Sequence, residues 1–210
     1  MLRVLIIIVC ACLPPLAFSH TLLVLGDSLS AGYQMAAKDS WPVLIEPKLQ
    51  QVNPNVKVIN ASISGDTTGN GLARLPALLS QHQPDSVLIE LGANDGLRGY
   101  SPALVRTNLN ALITLIKEAQ AKPILMQIKV PPNYGQRYSK SFAKLYPEVS
   151  DAQQVPMISF FLEQIILQPE LMKEDGLHPK AEAQPRIADI VFAEIKSLIP
   201  VVTTEDAKQG

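Results

Sequence analysis

The stretch Thr21-Leu22-Leu23-Val24-Leu25-Gly26-Asp27-Ser28-Leu29-Ser30 decides the fold class. Its first half is apolar without alternation, as in a strand covered on both faces. Its second half turns abruptly to glycine, an acid and two serines. The same succession recurs twice. Residues 56–60 run into Ser62-Ile63-Ser64-Gly65-Asp66, and residues 86–91 run into Gly92-Ala93-Asn94-Asp95-Gly96. Two further apolar runs, 123–128 and 155–159, complete a set of five expected strands. Between and after them lie helical patterns at about 41–51, 68–81, 102–121, 138–152 and 181–198. The third is the clearest, with Leu104, Leu109, Leu112, Ile113 and Ile116 at helical spacing. Strand–helix alternation of this kind predicts βαβ units around a parallel sheet. Ligands of such sheets bind beyond the carboxyl ends of the strands, where strand order reverses. Three polar, glycine-bearing loops at successive strand ends therefore converge on one crevice.

The remaining sequence sets limits. A chain of 210 residues without repeat or linker suits one domain, expected over 20–200. The formal net charge of −1 gives no footprint for nucleic acid. Residues 1–19 read as a secretory signal peptide: Arg3, an apolar run too short to span a bilayer, Pro14-Pro15, then Ala17-Phe18-Ser19 as a small-x-small cleavage site. A membrane anchor, or a lipoprotein using Cys12, is the alternative. The expected location is the periplasm or the exterior, with no stable membrane insertion after cleavage. Both cysteines, Cys10 and Cys12, lie in this leader, which leaves no disulfide framework and no cysteine nucleophile for the mature chain. Residues 201–210 are polar and read as a flexible tail.

The candidate chemistry emerges by elimination. A serine nucleophile needs a base, and the base an orienting group. His20 sits at the leader junction, and His82 precedes the third strand at the wrong end of the sheet. His178, in Asp175-Gly176-Leu177-His178-Pro179, has an acid three residues before it that can meet it within one turn. Alone, that motif is equally a surface acid at a helix start. Ser28 follows the first strand at an expected helix start, where its own N–H and the helix dipole would favour a developing negative charge. Its alternative is a capping serine; Asp27 could cap instead, and Ser30 could be a solvent-facing loop hydroxyl. Gly65 can bring its N–H close to a ligand. Asn94 offers an amide donor, unless it is only a turn residue. Ser28, Gly65 and Asn94 thus supply three donors for one oxyanion. Asp27, Asp66 and Asp95 suggest a hard-metal site less well than the glycine and asparagine suggest an oxyanion site. The absence of Gly-x-Ser-x-Gly, of a phosphate loop and of a dinucleotide fingerprint disfavours those classes.

These residues resemble the motif blocks of the SGNH (GDSL) hydrolase superfamily: Gly26-Asp27-Ser28-Leu29, Gly65, Gly92-Ala93-Asn94-Asp95 and Asp175-Gly176-Leu177-His178-Pro179. Within it, Leu25 to Tyr33, Gly71 to Pro76 and Asn94 to Gly99 are similar to the bacterial thioesterase I / lysophospholipase L1 / arylesterase group. One departure is Ala93, where related members often carry glycine. The resemblance implies a flavodoxin-like three-layer α/β/α sandwich with five parallel strands in the order 2-1-3-4-5, and no cofactor or metal. It implies activity on acyl thioesters, lysophospholipids and aryl esters through Ser28, Asp175 and His178. Leu97, Val130, Pro131 and Tyr134 are expected to line an apolar acyl groove, unless they merely pack under a loop. Arg98 and Arg137 are candidates for a head-group phosphate. The expected partner is a small-molecule or lipid acyl ester, and the chain is expected to act as a monomer. The alternatives are a carbohydrate O-acetylesterase, a non-catalytic lipid-binding module and a nucleotide binder.

Overall fold

The apolar run after Ser19 forms β1 (His20–Gly26), which is followed by the one-turn helix α1 (Ser28–Ala31) and by α2 (Trp41–Leu49). The chain continues through β2 (Val56–Asn60), α3 (Thr68–His82), β3 (Ser86–Glu90), α4 (Ala93–Leu97) and α5 (Pro102–Glu118). It ends with β4 (Lys122–Met126), α6 (Gln136–Gln153), β5 (Met157–Ile158), α7 (Leu162–Ile165) and α8 (Gln184–Ile195). This computed structural model describes residues 19–201. The expected leader and tail lie outside the described residues, apart from Ser19 and Val201.

The five strands form one parallel sheet in the order β2-β1-β3-β4-β5, as the resemblance implies. β1 lies between β2 and β3, with Leu22 facing Val58 on one side and Ser86 on the other. α2 packs with α8, while α3, α5 and α6 pack in succession as a separate layer. Leu22, Leu23, Val24 and Leu25 are consequently all fully buried. That double cover explains the lack of alternation in the sequence, and each such side chain contributes about 1.5–3 kcal/mol.

Element ends differ from the sequence reading for local reasons. β5 has two residues rather than five, because it pairs only with β4 and follows Pro156, which has no N–H to donate. α5 stops at Glu118, two residues before Gln120 turns left-handed at φ 63°. The last expected helix is α8 flanked by single 3₁₀ turns, Ala181–Ala183 and Lys196–Leu198. Strand order reverses between β1 and β3, so the loops that follow them lie side by side. Among the described residues, no helix is long and apolar enough to cross a membrane.

Candidate active site

β1 ends at Gly26, and Asp27 caps the next turn, its Oδ1 accepting from the Leu29 N–H at 3.0 Å. Ser28 is thereby the first helical residue, half-buried beside the crevice. α1 has only four residues, so the expected helix dipole is small; the Ser28 backbone N–H remains. Ser30 is no solvent-facing hydroxyl. It is fully buried and donates to Glu90 Oε2 at 2.7 Å, because α1 folds back onto the end of β3.

His178 arrives from the far end of the chain. Its Nε2 lies 2.8 Å from Ser28 Oγ and its Nδ1 2.7 Å from Asp175 Oδ2. The acid–base pair is not carried on a helical turn, as the spacing suggests. It sits in a hairpin-like loop closed by the Met172–Pro179 bridge, with Gly176 left-handed at φ 66°. Asp175 Oδ1 accepts from the backbone N–H groups of both Leu177 and His178 at 2.9 Å. Slight burial pushes the Asp175 carboxyl up, but these bonds and the imidazole outweigh it and hold the group at about 2. Its oxygens therefore only accept, which places the proton on His178 Nδ1 and leaves Nε2 to accept from Ser28.

The loops after β2 and β3 complete the crevice. Gly65 has φ 86°, a conformation that β-carbon-bearing residues rarely adopt, and Arg98 Nη2 donates to its carbonyl at 3.0 Å. Arg98 thus braces the loop rather than standing free for a phosphate. Asn94 Nδ2 donates to Asp27 Oδ2 at 3.1 Å and to Asp66 O at 3.0 Å, which ties all three loops together. Arg74 adds a second tie, from Asp66 Oδ2 at 2.7 Å to the carbonyls of Ala61 and Gly26. Neither the Ser28 nor the Gly65 N–H has a protein acceptor among the described residues. Gly92, at φ 123°, caps α4; a β-carbon there would fall 1.9 Å from the Tyr146 hydroxyl, which donates to Leu91 O. The three aspartates do not form a metal set. Asp27 caps α1, Asp66 pairs with Arg74, and Asp95 accepts from the Thr68 N–H and hydroxyl at 2.8 and 2.6 Å.

Glu90, at the end of β3, is fully buried under the Ser28 turn and accepts from the Asp27 N–H and Ser30. Its Oε1 has no partner among the described residues. Burial first, and then the neighbouring Asp27 charge, push the Glu90 carboxyl well above its usual range. Burial likewise raises Asp27 to about 7, reinforced by Asp66 and Asp95 against the bonds from Leu29 and Asn94. A group raised in the folded state contributes stability that is complete below its unfolded value and is lost as pH rises through the folded one. Unfolding free energy should therefore fall as pH climbs from about 4, the unfolded carboxyl value, through about 7, the folded value of Asp27. In Glu90→Gln, which cannot ionise, that slope should be shallower. Chemical denaturation at several pH values measures it, and identical slopes would contradict a protonated Glu90.

From Ser28, Asn94 and His178 an apolar groove of about 260 Å³ runs past Leu97, Val130 and Pro131. Its far wall is Phe160, Leu162, Ile166 and Leu177, with the Lys129–Glu163 ion pair (2.7 Å) also on the lining. Tyr134 is not part of it. The 3₁₀ turn Pro132–Tyr134 carries that side chain to a separate cleft with Pro102, Arg137 and Tyr138. The sequence reading missed the contribution of residues 160–166. The available signal was the excess of apolar residues in Phe160-Phe161-Leu162 and Ile165-Ile166-Leu167 just beyond the fifth strand. It also missed Glu90, although a lone acid in an apolar strand is itself unusual.

A model of the GDSL-like lipase/acylhydrolase family matches residues 24–185. The chain is 57% identical over 196 residues to an arylesterase of Vibrio mimicus, covering 93% of this chain and 98% of the other. It is 50% identical over 183 residues to thioesterase 1/protease 1/lysophospholipase L1 of Escherichia coli K12, covering 87% of this chain and 86% of the other. The crystal structure of the psychrotrophic esterase EstA from Pseudoalteromonas sp., inhibited by monoethylphosphonate, matches with a TM-score of 0.83 at 44% identity. That match covers 86% of this chain and 98% of EstA.

Proposed function

Because this chain belongs to the GDSL-like lipase/acylhydrolase family, we propose that it hydrolyses carboxylic esters and thioesters of apolar acyl groups through an acyl-enzyme on Ser28. Acyl-CoA thioesters, lysophospholipids and aryl esters are the substrate classes. The observation that carries the reading is the continuous line from Ser28 Oγ through His178 to Asp175, at 2.8 and 2.7 Å. His178 Nε2 takes the Ser28 hydroxyl proton as Oγ bonds to the acyl carbon. The Ser28 and Gly65 N–H groups and the Asn94 amide hold the resulting oxyanion, which draws the Asn94 hydrogen away from Asp27. Collapse breaks the bond to the alcohol or thiol, which leaves with the proton from Nε2. Water, deprotonated by the same nitrogen, then releases the carboxylic acid and restores Ser28.

The apolar groove favours this reading over a carbohydrate O-acetylesterase, since an acetyl group leaves most of that wall unused. The Ser28–His178 contact likewise favours catalysis over lipid carriage. The leader-like residues 1–19 extend the proposal to export into the periplasm or beyond. A profile of p-nitrophenyl esters and acyl-CoA thioesters of increasing chain length tests the substrate class. The rate constant kcat/KM should rise from acetyl to medium-chain acyl groups on both leaving groups. Activity confined to acetyl esters would transfer the assignment to the O-acetylesterase.

A further inference from the structure

The imidazole of His178 has a third neighbour besides Ser28 and Asp175. The ring of Tyr33 lies against it with centroids 4.2 Å apart and planes inclined by 29°. Hydrogen bonds at Nδ1 and Nε2 direct the two ring nitrogens, but each tolerates out-of-plane bending, so the imidazole can still rock about its Cβ–Cγ bond. A flat contact on its face removes that freedom.

Tyr33 is itself held in place. It sits between two residues of positive φ, Gly32 at 77° and Gln34 at 54°. The second is uncommon for a residue with a β-carbon and needs support from its surroundings. Lys173 supplies it: Nζ donates to Tyr33 O at 2.8 Å and to Gln34 Oε1 at 3.3 Å, and lies 5.1 Å from the centre of the Tyr33 ring. The backbone N–H of the same lysine donates to His178 O at 2.8 Å. One residue thus couples the turn after α1 to the loop that carries the base. Tyr33 does not line the acyl groove, so its contact with His178 has no direct bearing on substrate fit.

We infer that Tyr33 is a positioning residue for His178, its ring locking the imidazole plane toward Ser28 while Lys173 pins the turn that presents it. The inference rests on the reading of His178 as the general base. It requires the aromatic face and not the hydroxyl, which among the described residues accepts from Gln34 Nε2 at 3.2 Å.

Three variants of the whole protein test it: Tyr33→Phe, Tyr33→Leu and Lys173→Met. Tyr33→Phe should keep kcat within about threefold of wild type, since the stacked face remains. Tyr33→Leu should lower kcat by about 10–10²-fold with KM nearly unchanged, as expected for a misplaced reacting group. Lys173→Met should fall between them. In proton NMR, the His178 ring resonances should move downfield in Tyr33→Leu, where the ring current is lost, and stay in place in Tyr33→Phe. Wild-type kcat in Tyr33→Leu, or an equal loss in Tyr33→Phe, would overturn the inference, as would unshifted His178 resonances in Tyr33→Leu. Ser28→Ala assayed alongside separates the two levels. Full activity there sinks the serine-hydrolase reading, whereas an inactive Ser28→Ala beside a wild-type-like Tyr33→Leu sinks only the role of Tyr33.

Discussion

Ser28→Ala should lower kcat/KM for esters and thioesters by about 10⁴–10⁶-fold while leaving thermal unfolding nearly unchanged. The two halves of this expectation have different origins. Ser28 is half-buried at the edge of a groove, and its hydroxyl bonds to His178 Nε2. Removing the hydroxyl creates no cavity in the core and leaves only one ring nitrogen of the half-buried His178 without its partner. The capping bond from Asp27 to the Leu29 N–H and the bond from Ser30 to Glu90 persist, so the turn keeps its shape. The chemistry, in contrast, loses the atom that forms the covalent bond. Steady-state kinetics on a p-nitrophenyl ester, paired with calorimetry, checks both halves. A drop in activity accompanied by a large fall in Tm would assign Ser28 to structure rather than to reaction.

Asp175→Asn should be nearly as damaging, lowering kcat by about 10³–10⁴-fold. Asparagine is almost isosteric, and its carbonyl can keep accepting from the Leu177 and His178 N–H groups, as Asp175 Oδ1 now does. Its amide nitrogen then faces His178 Nδ1 and donates to it. The ring proton moves to Nε2, the nitrogen that must accept from Ser28, and the base is lost without displacement of an atom. Because the hydrogen bonds from His178 and Leu177 keep Asp175 at about 2, the carboxylate is ionised through the neutral and mildly acid range, and the wild-type tautomer persists with it. Labelling by a fluorophosphonate should slow in Asp175→Asn in parallel with turnover. Unchanged turnover would show that His178 needs no anionic partner.

The fold was largely legible because β1 and β3 carry their own diagnosis: unbroken apolar runs ending in glycine-bearing polar loops. Their burial on both faces is what removed the alternation. The Ser28–His178–Asp175 constellation was legible by scarcity, since three histidines left only one in reach of a strand-end loop. Its local geometry was not. The Asp175–His178 spacing is equally compatible with a helical turn, and the antiparallel bridge that closes the loop involves backbone pairing across Met172 and Pro179. The apolar groove was half legible. Leu97, Val130 and Pro131 lie beyond strand ends and do line it, but Tyr134 does not, because three residues of 3₁₀ turn redirect it. Its far wall comes from residues after β5, a strand too short to advertise where the chain goes next. The partners of Glu90 and Tyr33, Ser30 and His178, are distant in sequence, so a lone acid in an apolar strand could flag Glu90 as unusual but not say what it meets.

Rapid quenching during turnover of a medium-chain p-nitrophenyl ester, followed by peptide mapping, looks directly for the covalent intermediate. The expected finding is an acyl group esterified to the peptide containing Ser28, absent from Ser28→Ala. An acyl group on another residue, or hydrolysis at the wild-type rate by the variant that lacks the hydroxyl, would contradict nucleophilic attack by Ser28.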